Sequence, residues 1–240
     1  MRHSRAEIEM KSLVSTKCSA FSHPEFRVDF DEDSILEHEP EFLIRMLEIK
    51  VQQGSIFSAG QTIEVGLSVL RVAADEPYLS LDEPDMRSFP IVFVTGVTQS
   101  LILLRHQHFV SGSFALDSEG EIPSFLKGAL VCTNYAESPA FFMDRLEPMR
   151  GNDSGWFIGC CAGTHDHNDP RNLTRVSLYA AFLALPEMHQ YVSLPVGYSV
   201  IIDPTRDPVF QQNGRRILPK PNSFLSERME LARKKRGNGA

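Results

Sequence analysis

The chain has 240 residues, a hydrophobic fraction of 42%, a charged fraction of 23% and a formal net charge of −7. This is ordinary composition for one large globular domain or two small ones. No stretch approaches the ~20 apolar residues that span a bilayer, which excludes a helical membrane protein. The N-terminus, Met1 to Glu9, has no apolar core of the signal-peptide kind, so a cytoplasmic location is expected. Four cysteines (Cys18, Cys132, Cys160, Cys161) in a chain of this size read as free thiols rather than a disulfide framework.

The charge is unevenly placed. Residues 211–240 carry eight basic and two acidic side chains, a balance of +6, which leaves −13 for the rest. An acidic body attracts basic partners and repels nucleic acid, and it also simply aids solubility. The basic tail is expected to fold back onto the acidic body or to form a short solvated helix.

Four regions follow in chain order. Residues 1–24 lack periodicity and read as a loosely ordered arm or edge segment. Residues 25–117 form a first α+β half. From Glu41 to Val51 an amphipathic helix is expected, with Leu43, Met46, Leu47 and Val51 on one face and Gly54 ending it. Thr62 to Val72 alternates as a strand, and Tyr78–Leu81 is a second, broken by Asp82-Glu83-Pro84-Asp85. Phe89–Val94 starts extended, and a helix runs beyond Gly96 to about Val110. The polar stretch Asp117–Pro123 is the best internal boundary.

Residues 118–210 form the second α+β half. Strands are expected at Ala129–Cys132, Trp156–Cys160 and Leu173–Leu178, a short helix at Tyr179–Leu185, and a final strand at Tyr198–Asp203. The connection between Cys132 and Asp153 reads as polar loop. Residues 211–240 are the basic tail. The class is α+β, with mixed or antiparallel sheets, few short helices and two halves of similar size.

The richest local chemistry lies at Cys160-Cys161-Ala162-Gly163-Thr164-His165-Asp166-His167-Asn168-Asp169. Metal sites need three or four ligands around the ion, with cysteines usually two to four residues apart. Here Cys160 and Cys161 are adjacent, His165 and His167 stand at i,i+2, and no second Cys/His cluster complements them. The loop therefore reads as a polar surface loop, with no metal and no cofactor expected. A cysteine nucleophile (Cys132, Cys160 or Cys161) with one of the eight histidines as base has no local support, and Cys132 sits in an apolar run that suits a core thiol. No catalytic residue is assigned. Trp156, the only tryptophan, reads first as a core anchor, with an interface hot spot as the other reading. Asp153 and Ser154 turn the chain into its strand.

The order of these pieces carries a resemblance. Ala129–Cys132, Asp153-Ser154-Gly155-Trp156, a polar loop, Asn168-Asp169-Pro170-Arg171-Asn172, Val176-Ser177-Leu178, Leu194-Pro195-Val196-Gly197 and Ser199-Val200 follow one another as in an immunity domain of bacterial polymorphic-toxin systems, immunity protein family 33. The first half, with Gly60–Gly66, Glu83-Pro84-Asp85 and Pro90-Ile91, resembles the segment that often precedes that domain. The family loop after the tryptophan strand is usually strongly acidic, whereas here it holds two histidines.

The resemblance implies a non-enzymatic protein that binds and neutralises a cognate toxin. A cytoplasm-acting nuclease blocked at its active site is favoured, because a nuclease presents a basic groove to an acidic inhibitor. No membrane and no direct nucleic-acid contact are expected. The expected toxin-facing residues are Glu83, Asp85, Asp153, Asp166 and Asp169. The competing reading is a metal-dependent or cysteine hydrolase that uses the Cys160–Asp169 loop.

Overall fold

A computed structural model describes residues 10–114, 122–163 and 165–237. The chain divides into two compact units, one reaching Leu104 and one beginning at Arg105. Among the described residues no helix is long and apolar enough to cross a membrane.

The first unit is built from β1 (Met10–Val14), β2 (Phe26–Asp31), α1 (His38–Gln52), β3 (Thr62–Val65), β4 (Ser68–Asp75), β5 (Tyr78–Pro84), β6 (Phe93–Thr95) and the start of α2 (Thr98–Gly112). Its sheet has the order β1-β2-β5-β4-β3, with β6 also pairing β5. All pairs are antiparallel except β2 with β5. α1 buries Leu43, Leu47 and Val51, as its 3,4 spacing demands, against Phe26, Val28, Leu70, Val72 and Leu81. Val97 and Leu101 join the same core.

Two expectations change here. The run Thr62–Val72 is not one strand. It turns at Gly66-Leu67 into a hairpin, with Val65 opposite Ser68. Asp82-Glu83-Pro84 does not break the next strand, because its two carboxylates find partners on neighbouring elements. Asp82 pairs with Arg71 at 2.6 Å, and Glu83 takes backbone N–H groups of α2.

In the second unit β7 (Gly128–Cys132), β8 (Phe141–Arg145), β9 (Asp153–Cys160), β10 (Leu173–Ser177), α3 (Leu178–Ala184), β11 (Tyr198–Ile202), β12 (Val209–Gln212), β13 (Arg215–Ile217) and α4 (Phe224–Gly237) follow the end of α2. The sheet order is β10-β7-β9-β8-β11-β12-β13. Only β7 and β9 pair in parallel. Both sheets are thus mixed, and the α+β expectation holds.

Strand β8 lies where a polar loop was expected. Its inward positions are Phe141, Met143 and Arg145, and a buried arginine at the third of these hides the alternation. The strand at Tyr198–Ile202 is not the last, since β12 and β13 extend the sheet. The basic tail is ordered onto its own unit. Leu225 and Met229 are buried, Arg228 donates to Gln190 Oε1 at 2.9 Å, and Arg233 and Arg236 both pair with Asp207. The expected boundary at Asp117–Pro123 lies outside the described residues up to position 121.

Candidate functional site

Strand β9 organises the chemistry of the second unit, with a different arrangement at each end. At its start, Gly155 has φ +74, and a Cβ there would lie 2.3 Å from the Leu146 carbonyl oxygen. Only glycine lets the chain enter the strand this closely. Trp156 follows at 1% exposure, with its Nε1–H donating to the Val192 carbonyl at 3.2 Å. The Arg145 guanidinium lies 5.4 Å from the tryptophan ring centroid and donates to the Ser154 carbonyl. The buried cation is therefore held by a ring face and a carbonyl.

Asp153 is similarly occupied. Its carboxylate accepts from the Met149 backbone N–H at 2.8 Å and from Arg175 at 3.2 Å. Burial works to raise its pKa. The hydrogen bonds from the Met149 and Gly155 backbones and Arg175 outweigh that and hold it below the usual range. Beside it an open cleft is lined by Leu126, Met149, Arg150, Asn152, Arg175 and Val176. Met149 is 60% exposed and Leu126 is also exposed, so this rim offers apolar surface next to cations.

At the far end, β7 and β9 finish side by side, in register at Val131 and Ile158. This places Cys132 and Cys160 together, and the backbone N–H of Cys160 donates to Cys132 Sγ at 3.2 Å. The loop after β9 then folds back over them. Cys160 Sγ lies 3.7 Å from His167 Nε2, and the rings of His165 and His167 meet edge to face at 4.6 Å. The donor atoms of Cys132, Cys160, His165 and His167 all lie within 4.8 Å of one another. Gly159, opposite Phe142, leaves room for that ring, which stands against His167 at 5.3 Å with Phe157 at 6.0 Å. Burial raises the Cys132 thiol, against N–H groups of Cys160 and Asn134 that point at it. Cys161 turns outward and is exposed.

The loop is fastened at both ends. The Cys161 N–H donates to the Ala140 carbonyl at 2.9 Å, and the Thr133 N–H donates to the Asn172 carbonyl at 2.8 Å. Asp166 accepts from Asn168 N–H at 2.8 Å and from its side-chain amide at 3.0 Å. Asp169 caps the 3-10 turn Pro170–Asn172 and pairs with Arg171 at 2.6 Å, which holds its pKa low.

The five expected contact residues fall on different elements. Asp166 and Asp169 share the loop. Asp153 stands at the other end of an eight-residue strand, about 23 Å away along the strand. Glu83 and Asp85 belong to the first unit. Glu83, at 5% exposure, is spent on the Gln99 and Ser100 N–H groups at the start of α2, at 3.1 and 2.7 Å. Asp85 accepts from Ser88 Oγ at 2.7 Å.

Conversely, sequence spacing overlooked Cys132. The second partner for the 160–169 loop comes from a strand end 28 residues earlier, brought in by parallel pairing. The apolar ending Leu130-Val131-Cys132 carries no local signal for it.

Residues 107–212 match the family model of the Imm33-like domain. No curated protein and no solved structure matches the chain.

Proposed function

We propose, because residues 107–212 match the model of the Imm33-like domain, that this is an immunity protein that binds a cognate bacterial toxin and neutralises it. The match is the observation that carries this reading, and it spans β7 to β12, nearly all of the second sheet. The setting is competition between bacteria, with the toxin delivered by a secretion system such as type VI. A cytoplasm-acting nuclease, blocked at its active site, is the target class that an acidic body of −13 suits best.

Contact centres on the second unit. Asp166 supplies exposed negative charge, with Asp169 beside it on the same loop, and the Leu126–Met149 rim supplies apolar area. Glu83 is left out, because its carboxylate is already bonded and buried.

A thiol hydrolase has one observation in its favour, the 3.7 Å approach of Cys160 and His167. A nucleophile must be reached by substrate, and Cys160 is 1% exposed. The binding reading is therefore preferred.

The test is protection and binding together. Toxin domains encoded beside this chain are expressed in a sensitive bacterium, with and without it. We expect growth only on co-expression, and a stoichiometric complex from the purified pair. Toxicity undiminished for every such domain, with no complex formed, would reject the reading.

A further inference from the structure

The Cys/His cluster at the carboxyl ends of β7 and β9 is defined by its own geometry and does not rest on the immunity reading. We propose that Cys132, Cys160, His165 and His167 bind one zinc ion, which clamps the loop after β9 onto the sheet. The donor set is two sulfurs and two imidazole nitrogens, the combination that selects zinc over oxygen-preferring cations such as magnesium or calcium. In a tetrahedral site with zinc–sulfur bonds of about 2.3 Å and zinc–nitrogen bonds of about 2.0 Å, donor atoms lie about 3.3–3.8 Å apart. Cys160 Sγ and His167 Nε2 already stand at 3.7 Å. All four donors lie within 4.8 Å, so closing the set takes shifts of about 1 Å.

The division of labour among the elements suits this. The two cysteines sit on adjacent strands, buried and rigid, and both histidines sit on the loop, where they can adjust. The Cys160 N–H donates to Cys132 Sγ, an outer hydrogen bond of the kind that orients and tunes metal ligands. The rings of Phe142 and Phe157 pack edge-on against the half-buried His167. Four protein ligands fill the coordination sphere, leaving no position for water or substrate, so the ion is structural. It fastens the segment between Cys161 and Asp169, which carries Asp166.

The rival arrangement is a Cys132–Cys160 disulfide, which would consume two ligands. The experiment therefore uses the full chain, kept reduced and purified without added metal. Elemental analysis should find one zinc per chain. Metal-free protein titrated with cobalt(II) alone should develop the visible absorption of tetrahedral, thiolate-bound cobalt, and zinc should abolish it. Cys161→Ser should bind as the parent does. His167→Ala sits on the loop and spares the strands, and it should weaken cobalt binding more than about a hundredfold, since outer-shell losses alone cost about ten- to a hundredfold. Cys160→Ser should remove the thiolate bands, but it lies in a core strand, so His167→Ala is the decisive variant. A folded, reduced parent with neither bound zinc nor cobalt–thiolate absorption would overturn the proposal. So would a folded His167→Ala that binds cobalt as the parent does.

Discussion

Trp156 shows how one side chain ties several elements together. It hydrogen-bonds Val192, stacks on Arg145 from β8, and sits at 1% exposure within β9. Trp156→Ala should cost about 3–5 kcal/mol, the range for large aromatic deletions in a core. Urea denaturation followed by circular dichroism checks this, and a loss below about 1 kcal/mol would show the ring to be dispensable.

His106 gives a pH-dependent counterpart. Its Nδ1 lies 3.0 Å from His189 Nε2, and His189 Nδ1 lies 2.6 Å from the Pro186 carbonyl. That geometry assigns N–H donation from His106 to His189 and from His189 to Pro186. Burial first, then the nearby His189, Arg228 and Arg105 charges, lowers His106 from 6.5 to about 4. The unfolded chain takes up this proton near pH 6.5, while the folded one resists until about 4. Stability from this site is therefore complete above pH 6.5 and declines as pH falls toward 4. The drop in melting temperature between pH 7 and pH 5 should be smaller in His106→Phe than in the parent. Equal drops in both would refute the assignment.

Two helices start where a side chain meets the orphan backbone N–H groups, α3 on the Ser177 hydroxyl and α2 on a carboxylate. Glu83, at the end of β5, accepts from the first N–H groups of α2, where the helix dipole favours negative charge. Removing the carboxylate strands the buried Ser100 N–H and takes the partner from the Gln99 N–H, so Glu83→Ala should cost about 1–3 kcal/mol. Glu83→Gln keeps an acceptor and should cost less. Guanidinium denaturation of both variants tests the order, and two neutral substitutions would sink it. The same residue shows why a sequence pattern misleads. Asp82-Glu83-Pro84 has the composition of a turn, yet tertiary partners make it strand. Strand β8 was hidden for the converse reason, an arginine at a core position that lies over Trp156 and donates to the Ser154 carbonyl. Helix α1 was legible from Glu41 onward because its apolar side chains recur at 3,4 spacing, while its start at His38 was not.

Across the whole molecule the charge is divided more sharply than −7 suggests, but the basic tail is partly spent within its own unit. Arg233 and Arg236 neutralise Asp207, and Lys234 pairs with Glu230 at 2.8 Å. On the immunity reading, the acidic remainder accelerates encounter with a basic toxin. Asp166→Lys should slow association several-fold while leaving dissociation nearly unchanged, the pattern of a rim charge. Raised salt should shrink the difference between variant and parent. Stopped-flow association measured at two ionic strengths decides this, and equal rates at low salt would remove Asp166 from the contact surface.

Amino-acid order alone was enough for the α+β class, most of the strands, helices α1 and α2 and the likeness of the second half to an immunity family. These depend on local periodicity and on the order of short motifs along the chain. It was not enough for the fate of single polar groups. Glu83 became a buried helix cap, Asp153 an ion-paired residue at a strand entry, and Cys132 a partner of Cys160, His165 and His167. Each outcome depends on which strands lie side by side. A parallel pairing such as β7 with β9 leaves no period in the chain from which it could be read.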